Sequence, residues 1–519
     1  MNTLPRKKLP IGIQTFAKIR EDDYYYVDKT AHALNLIEQG THYFLSRPRR
    51  FGKSLFIDTL AELFAGNEAL FRGLYCHDRW NWLVKYPVIR ISFAEGVMAE
   101  RAQLDLRIRN MLRFNAETLG IAEQPELGIP DHFGALIRDA EKKFGQRVVI
   151  LVDEYDKPIL DNLTRPELAR QMRDGLRDLY SVIKGQDAHI KFAMLTGVSK
   201  FSKVSLFSGL NNLNDITVEA AYSAICGYTD EDVDTVFAPE LPGLDRELIR
   251  AWYNGYNWTG ESVYNPFDLL LLMREREFRP YWFETGTPTF LVDMLTERRV
   301  RLPDLERLEA PESLLSAFEV GDISTEALMF QTGYLTIDSV RRIGAFAQYR
   351  LRYPNLEVRA SLSGAMLQRL RPNPAEYGAQ STKLYDLLLA NDFAGMEQLF
   401  TSFFASIPHD WFRNNPIAQY EGYYASVFYA YFASLGLDIV PEEASNAGRL
   451  DMAVRFNGNV YLFEFKVVEL EPEGAALEQI KRKGYADKYR DRNEPIHLIG
   501  VEFSREQRKV VGFEVETQA

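Results

Sequence analysis

Gly52-Lys53-Ser54 closes a loop, 46–55, that follows the apolar residues Tyr43, Phe44 and Leu45 and leads into a helical-looking stretch, 55–64. Strand, loop, helix is the setting in which backbone amides at a helix N-terminus cradle a phosphate. There Lys53 reaches the outer phosphates of a nucleotide and the Ser54 hydroxyl ligates Mg²⁺. The tripeptide alone also fits an ordinary helix start. Five residues before Gly52, where the usual pattern has glycine, stands Arg47, followed by Pro48. Glycine serves at that place because it adopts positive φ at little cost. This loop therefore takes a different path, or it uses the Arg47 and Arg49 side chains where others use bare backbone.

Two further runs end in polar residues in the right chain order. The apolar, β-branched stretch 147–152 has the character of a strand buried on both faces and ends in Asp153-Glu154. At that edge Asp153 would hold Mg²⁺ through water and Glu154 would polarise the water attacking a γ-phosphate. The run 190–196 ends in Thr196, a candidate sensor of the γ-phosphate. The plainer readings are a solvated helix start for the two acids and a turn residue for Thr196. Together with Lys53, three polar residues that each follow an apolar strand favour the nucleotide reading.

A second constellation lies near the C-terminus. The stretches 448–456 and 459–467 read as strands joined by Asn457-Gly458, the preferred two-residue hairpin turn. Pairing Phe456 with Asn459 and counting outward sets Asp451 opposite Glu464, with Lys466 on the same face. The other face carries Met452, Val454, Phe456, Tyr461, Phe463, Phe465 and Val467, a core pattern. Two carboxylates forced together suit a divalent cation, Mg²⁺ or Mn²⁺, beside which a lysine stabilises charge on a phosphorane or helps activate water. Glu421 is a candidate third acid, because the stripe Tyr424, Phe428, Tyr431, Phe432 and Leu435 puts it on the inward side of a helix over 420–435. The alternative is a solvated cross-strand salt bridge between Asp451 and Lys466. A helix near 475–490 with Gln479, Lys481, Lys483 and Tyr485 supplies basic charge that could meet phosphates, or simply a solvated face.

These residues need elements to hold them. The strand 87–93 and the amphipathic helices 100–118 and 132–143 complete an alternation of strands and helices, which implies a three-layer α/β sandwich. Before it, 12–40 reads as an adaptor whose Tyr24-Tyr25-Tyr26 run is a packing element, with adenine stacking as the lesser alternative. After it, 197–214 has the composition of a mobile loop, with Lys200 and Lys203 as candidate charge partners or ordinary surface residues. The helical, aromatic text from 230 suggests a lid, and Arg371-Pro372-Asn373-Pro374 is the clearest linker. Two short helices, 382–391 and 393–406, lead into the last domain.

Bulk properties narrow the class. A chain of 519 residues requires more than one core. Its net charge of −12 argues against a general polyanion-binding surface, so nucleic acid would be met by a local basic patch. Two cysteines, Cys76 and Cys226, exclude a disulfide scaffold and a cysteine zinc site and fit a reducing compartment. Neither a leader-like segment nor a membrane-length apolar run stands out, so the reading is a soluble, cytoplasmic protein without a membrane partner.

The loop 46–55, Val152-Asp153-Glu154-Tyr155-Asp156, Thr196-Gly197 and Tyr264-Asn265-Pro266 resemble the AAA-ATPase-like family of bacterial and archaeal proteins over roughly the first half of the chain. Gly448-Arg449-Leu450-Asp451 and Phe463-Glu464-Phe465-Lys466 resemble the PD-(D/E)XK nuclease superfamily domain that commonly follows it. An arginine-rich loop is typical of that ATPase family. The resemblance implies a P-loop NTPase sandwich over 1–229, a helical lid and connecting region over 230–371, and a restriction-endonuclease-like α/β domain over 375–519. It implies nucleotide roles for Lys53, Ser54, Asp153 and Glu154, and nuclease roles for Glu421, Asp451, Glu464 and Lys466. The expected partners are ATP, Mg²⁺ or Mn²⁺, and nucleic acid, with a homo-oligomer open. The expected function is an ATP-regulated nuclease in which the nucleotide moves the lid and controls access to the acids. The alternative is a nucleotide-dependent switch or scaffold whose last domain binds without cutting.

Overall fold

The computed structural model describes residues 5–200, 212–286, 289–298, 300–312, 315, 324–369, 375–406, 421–445, 448–507 and 509–518. The linker 371–374 and Lys203 lie outside these residues. The chain forms two compact units: 1–282 with 309–355, and 283–308 with 356–519. The segment 230–371, expected as a lid and connection, thus contributes to both. No described helix is long and apolar enough to cross a membrane.

The first unit is built on a parallel sheet of β1 (His42–Ser46), β2 (Val88–Ser92), β3 (Val148–Asp153), β4 (Ile190–Gly197) and β5 (Asn214–Asp215), in the order β2-β3-β4-β1-β5. Every residue of β1 and β3 is buried. Since successive side chains point to opposite faces, both faces of the sheet are covered. The cover comes from the crossover helices Lys53–Phe64, Arg101–Leu119, Ile129–Phe144 and Pro166–Gly185. The central strands end in polar residues at one edge, which is where a parallel α/β sheet presents a site.

The adaptor and the segment after β5 share one core. Tyr25 and Val27 pack with Val233, Phe237, Ile249, Tyr253, Tyr264 and the run 269–273. Tyr25 is buried and its hydroxyl donates to Glu240 at 3.0 Å, so this tyrosine is a packing element. Asn265 caps the helix Pro266–Glu275 by accepting from Phe267 N at 2.9 Å, and Pro266 takes the first helical position. The Tyr-Asn-Pro motif is therefore a helix start. The same unit contains a small sheet of β6 (Leu308–Pro311), β7 (Thr336–Ile343) and β8 (Phe346–Arg352), in the order β6-β8-β7.

The second unit carries a mixed sheet of β9 (Asp438–Ser445), β10 (Gly448–Phe456), β11 (Asn459–Val468), β12 (Ile496–Ser504) and β13 (Lys509–Gln518), ordered β13-β12-β11-β10-β9. The pair β11 and β12 is parallel and its crossover contains the helix Ala475–Lys483. The expected helix over 475–490 is shorter because Gly484, at φ +60°, ends it, and a 3-10 turn, Tyr485–Arg492, follows. Phe428 and Phe432 of the helix Glu421–Ser434 pack on Phe463 and Phe465, and Phe400 stacks on Phe428. The opposite sheet face is also a core: Leu450, Ala453, Val460 and Leu462 pack against Leu477 and Ile480. Alternation along the hairpin predicts one core face; the crossover helix closes the other.

Candidate functional site

Arg47 is fully buried and its guanidinium faces backbone carbonyls. Its Nη1 donates to Ser46 O and Thr217 O, both at 2.8 Å, and its Nη2 to Tyr222 O at 2.9 Å. Its guanidinium also lies 4.0 Å from the centre of the Trp258 ring. Burial lowers its pKa to about 10, so it remains a cation at neutral pH. The loop thus takes a different path from the glycine pattern, anchored at its start by arginine and turned by positive φ at Arg50 (+70°) and Gly52 (+95°). Aromatic groups hold its outer side: Phe51 packs on Tyr256 and Trp258, and Trp282 Nε1 donates to Arg49 O at 3.2 Å. The Arg49 side chain is exposed and lies close enough to Glu154 to favour its charged form.

Gly52 is exposed and opens the helix Lys53–Phe64, whose first amides have no intrahelical acceptors. A Cβ at Gly52 would meet nothing within 4 Å, but its φ of +95° favours glycine. Lys53 is buried and its Nζ donates to Arg47 O and Pro48 O, both at 2.9 Å. Burial lowers its pKa, opposed by the charges of Asp153, Glu154 and Asp156. Ser54, half-buried, is the second residue of the helix.

Asp153 is buried; its Oδ1 accepts from Thr196 Oγ1 at 2.8 Å and from Glu154 N at 3.0 Å. The fully buried Thr196 therefore places its hydroxyl on Asp153, where it fixes the carboxylate. Glu154 has φ +51°, a conformation unfavourable for a glutamate, which redirects the chain as it leaves the strand. Its pKa is raised by burial and by Asp153, and lowered in part by Lys53 and Arg49. Asp156 received no role from sequence reasoning. It is buried and accepts from Val198 N at 3.1 Å, Ser199 N at 2.6 Å and Ser199 Oγ at 2.6 Å, tying the end of β4 to β3. A Cβ at Gly197 would lie 2.5 Å from Asp156 Oδ1, so this close approach requires glycine. Lys200 forms an ion pair with Asp215.

At the second site the ladder of β10 and β11 runs from Phe456/Asn459 to Met452/Phe463, as the Asn-Gly turn requires. It stops at the pair before Asp451/Glu464, because Asp451 Oδ2 accepts from Phe465 N at 2.8 Å. Glu464 is buried; Lys466 Nζ is 3.7 Å from its Oε1, and the Gln479 amide donates to the same oxygen. Glu464, Asp451 and Lys466 all act electrostatically on the Tyr485 phenol, whose pKa is raised first by burial. Asp451 also lines a cavity of about 130 Å³ with Arg301, Glu442, Tyr429 and Pro441. The backbone of Glu421 begins the helix Glu421–Ser434, but its side chain lies outside the described part of the structure.

Glu502 on β12 is buried and accepts from Glu473 N at 2.5 Å, Gly474 N at 3.1 Å and Ala476 N at 3.2 Å. It thereby caps the helix that carries Gln479. No local signal marks this role, since Glu502 is distant in sequence from the amides it meets.

Among the described residues, no group of three or more His, Cys, Asp or Glu side chains is arranged to hold a metal ion. Mg²⁺ commonly takes one or two carboxylates and keeps several waters, so the oxygen donors Asp451 and Glu464 fit it. Ser54 and Asp153 fit a nucleotide-bound Mg²⁺ for the same reason.

A parallel sheet with a phosphate-type loop, followed by a mixed sheet bearing paired acids and a lysine, defines a two-part protein. Residues 10–207 match the family model described as predicted AAA-ATPase, and residues 419–513 match that of the PD-(D/E)XK nuclease superfamily. The chain belongs to the family of AAA-ATPase-like proteins that carry a PD-(D/E)XK nuclease superfamily domain. It is 72% identical over 516 residues, 99% of this chain and 100% of the relative, to a protein of Azotobacter chroococcum mcd 1 described as "Uncharacterized protein in vnfD 5'region".

Proposed function

We propose that the protein is a divalent-metal-dependent nuclease whose cleavage is regulated by ATP. The observation that carries this reading is the buried Glu464 carboxylate, held by Lys466 and Gln479 on the strand beside Asp451. Burying a carboxylate without a task is costly, and replacing such a cluster by apolar residues is often neutral or stabilising. In this reading Asp451 and Glu464 hold Mg²⁺ or Mn²⁺, which supplies Lewis acidity and a more acidic water. Lys466 stabilises negative charge on the phosphate undergoing attack, while Gln479 fixes the orientation of Glu464. In the first unit Lys53 and the first amides of its helix bind the nucleotide phosphates, with Arg49 as a further contact. Ser54 and Asp153 hold the nucleotide's Mg²⁺, Thr196 keeps Asp153 in place, and Glu154 accepts a hydrogen bond from the attacking water.

The test is cleavage of labelled single- and double-stranded DNA and RNA with Mg²⁺ or Mn²⁺, with and without ATP. Wild type is compared with Asp451→Ala and Lys53→Ala. The expected result is cleavage that is lost in Asp451→Ala and responds to ATP only when Lys53 is intact. Nucleotide binding without cleavage of any substrate would overturn the nuclease reading in favour of a nucleotide-dependent switch.

A further inference from the structure

The hairpin of β7 and β8 extends beyond the fold that supports it. The first two residues of β7 are buried and the other six are exposed; exposure continues without interruption from Asp338 to Phe346. Phe346 is 77% exposed, Ile343 48% and Val340 42%, an apolar tip without cover among the described residues. Ile343 pairs with Phe346 across a two-residue turn at Gly344-Ala345, with Gly344 at φ +60°. From Ser339 to Arg352 the chain has four arginines, Arg341, Arg342, Arg350 and Arg352, and no acid, although the whole protein carries a net charge of −12. Arg350 and Arg352 lie 3.8 and 3.1 Å from Asp338. Arg341 and Arg342 have no ion-pair partner among the described residues; the nearby acids are Glu312, which with Arg342 acts on Tyr349, and Glu309, whose carboxylate accepts from Gln348, the cross-strand partner of Arg341, at 2.7 Å.

Arginine on an edge strand commonly guards against edge-to-edge pairing. That role does not explain an exposed phenylalanine, isoleucine and valine beside the arginines, since apolar residues at an open edge promote association. We propose that this hairpin is a nucleic-acid docking ribbon, with Arg341 and Arg342 on backbone phosphates and Phe346 against a sugar or base. Adjacent residues of a strand face opposite ways, so Arg341 and Arg342 meet phosphates on either side of the ribbon. A two-stranded ribbon fits the major groove of a duplex, about 12 Å wide. The exposed stretch of β7 from Ser339 to Ile343 has a comparable length, about 13 Å at ~3.3 Å per residue. The inference rests on nucleic acid being the partner class of the proposed function, but it assigns contact to residues of the first unit rather than to Asp451, Glu464 and Lys466.

The test uses the full chain in EDTA, so that binding is read without cleavage, with labelled duplex and single-stranded DNA followed by fluorescence anisotropy across a salt series. The probes compared are wild type, Arg341→Ala/Arg342→Ala and Phe346→Ser, with thermal melting to confirm an unchanged fold. The double variant is expected to lose tenfold or more in affinity at low salt, and its log–log salt slope to shrink by about 2, one for each phosphate released. Phe346→Ser is expected to lose affinity with the slope unchanged. Variants that bind like wild type with the same slope would overturn the ribbon while leaving nucleic acid as the partner. A wild-type chain that binds neither duplex nor single strands would overturn both. Uptake of wild type, but not the double variant, by vesicles containing phosphatidylserine, with duplex binding unchanged, would assign the ribbon to an anionic membrane surface instead.

Discussion

Thr196 donates its hydroxyl to Asp153 Oδ1 at 2.8 Å, across the ends of the neighbouring parallel strands β4 and β3. A buried carboxylate with a fixed donor presents its remaining lone pairs in a defined direction, which is what a metal-bound nucleotide requires. Thr196→Val keeps the shape and removes the donor. The fold should lose about 1 kcal/mol, and Mg²⁺-dependent nucleotide affinity or turnover should fall about tenfold. Metal-free nucleotide binding should be unchanged and Thr196→Ser should restore the loss. Equal weakening with and without Mg²⁺ would separate Thr196 from the metal side of the site.

The surroundings of Glu154 set the sign of a pH dependence at the first site. Burial and the Asp153 charge raise its pKa above that of an ordinary glutamate. Between the unfolded and folded values the native protein keeps a proton that the unfolded chain has released, so stability contributed by the protonated form is lost as pH rises through that window. Glu154→Gln should therefore match wild type in acid and become the more stable of the two as pH passes upward beyond ~4.3. The same variant should bind nucleotide and lose turnover about a hundredfold or more. A stability difference that stays constant from about pH 4 to pH 8 would contradict the raised pKa.

The arginine at the start of the loop should behave as part of the fold. Arg47→Met removes the guanidinium donor from the carbonyls of Ser46 and Thr217, while Tyr222 O keeps Ile225 N at 3.2 Å, and a buried polar group that loses its partner costs about 1–3 kcal/mol. A loss of roughly 3 kcal/mol or more in chemical denaturation is expected, while Arg49→Met should leave stability within about 0.5 kcal/mol and weaken nucleotide binding. The reverse ranking, with Arg49 decisive for stability, would contradict the buried arrangement.

What could be read from the chain was local. The strand-end acids stood out because each follows a short apolar run, and the Asn457-Gly458 turn gave the register of β10 and β11 by counting. Arg47 could not be read, because Thr217 and Tyr222, which receive its guanidinium, are far away in sequence. The cover on the second face of the C-terminal sheet was hidden for a related reason: alternation along one hairpin cannot reveal a helix supplied by the next crossover. Segment 283–308 joins the C-terminal unit although it lies within 230–371, which reads in sequence as a helical lid and connecting region. Gln479 reads in sequence as one more polar residue on a basic helix, because its contact with the buried Glu464 is made only by the fold.

Gln479 and Glu502 form a chain of support for Glu464 that can be tested as a chain. Glu502 holds the amides at the start of the helix Ala475–Lys483; that helix carries Gln479, and Gln479 donates to Glu464. Gln479→Leu removes only the last link, so cleavage should fall at least tenfold, and the buried Glu464 carboxylate left without that donor should cost about 1–3 kcal/mol of stability. Glu502→Ala releases the helix start, which should cost about 2 kcal/mol of stability and lower cleavage as well. If Glu502 acts on cleavage through the position of Gln479, the double variant should cleave no worse than the more impaired single variant. Fully additive losses would mean that Glu502 reaches the site by another route, and undiminished cleavage in Gln479→Leu would remove Gln479 from the support of Glu464.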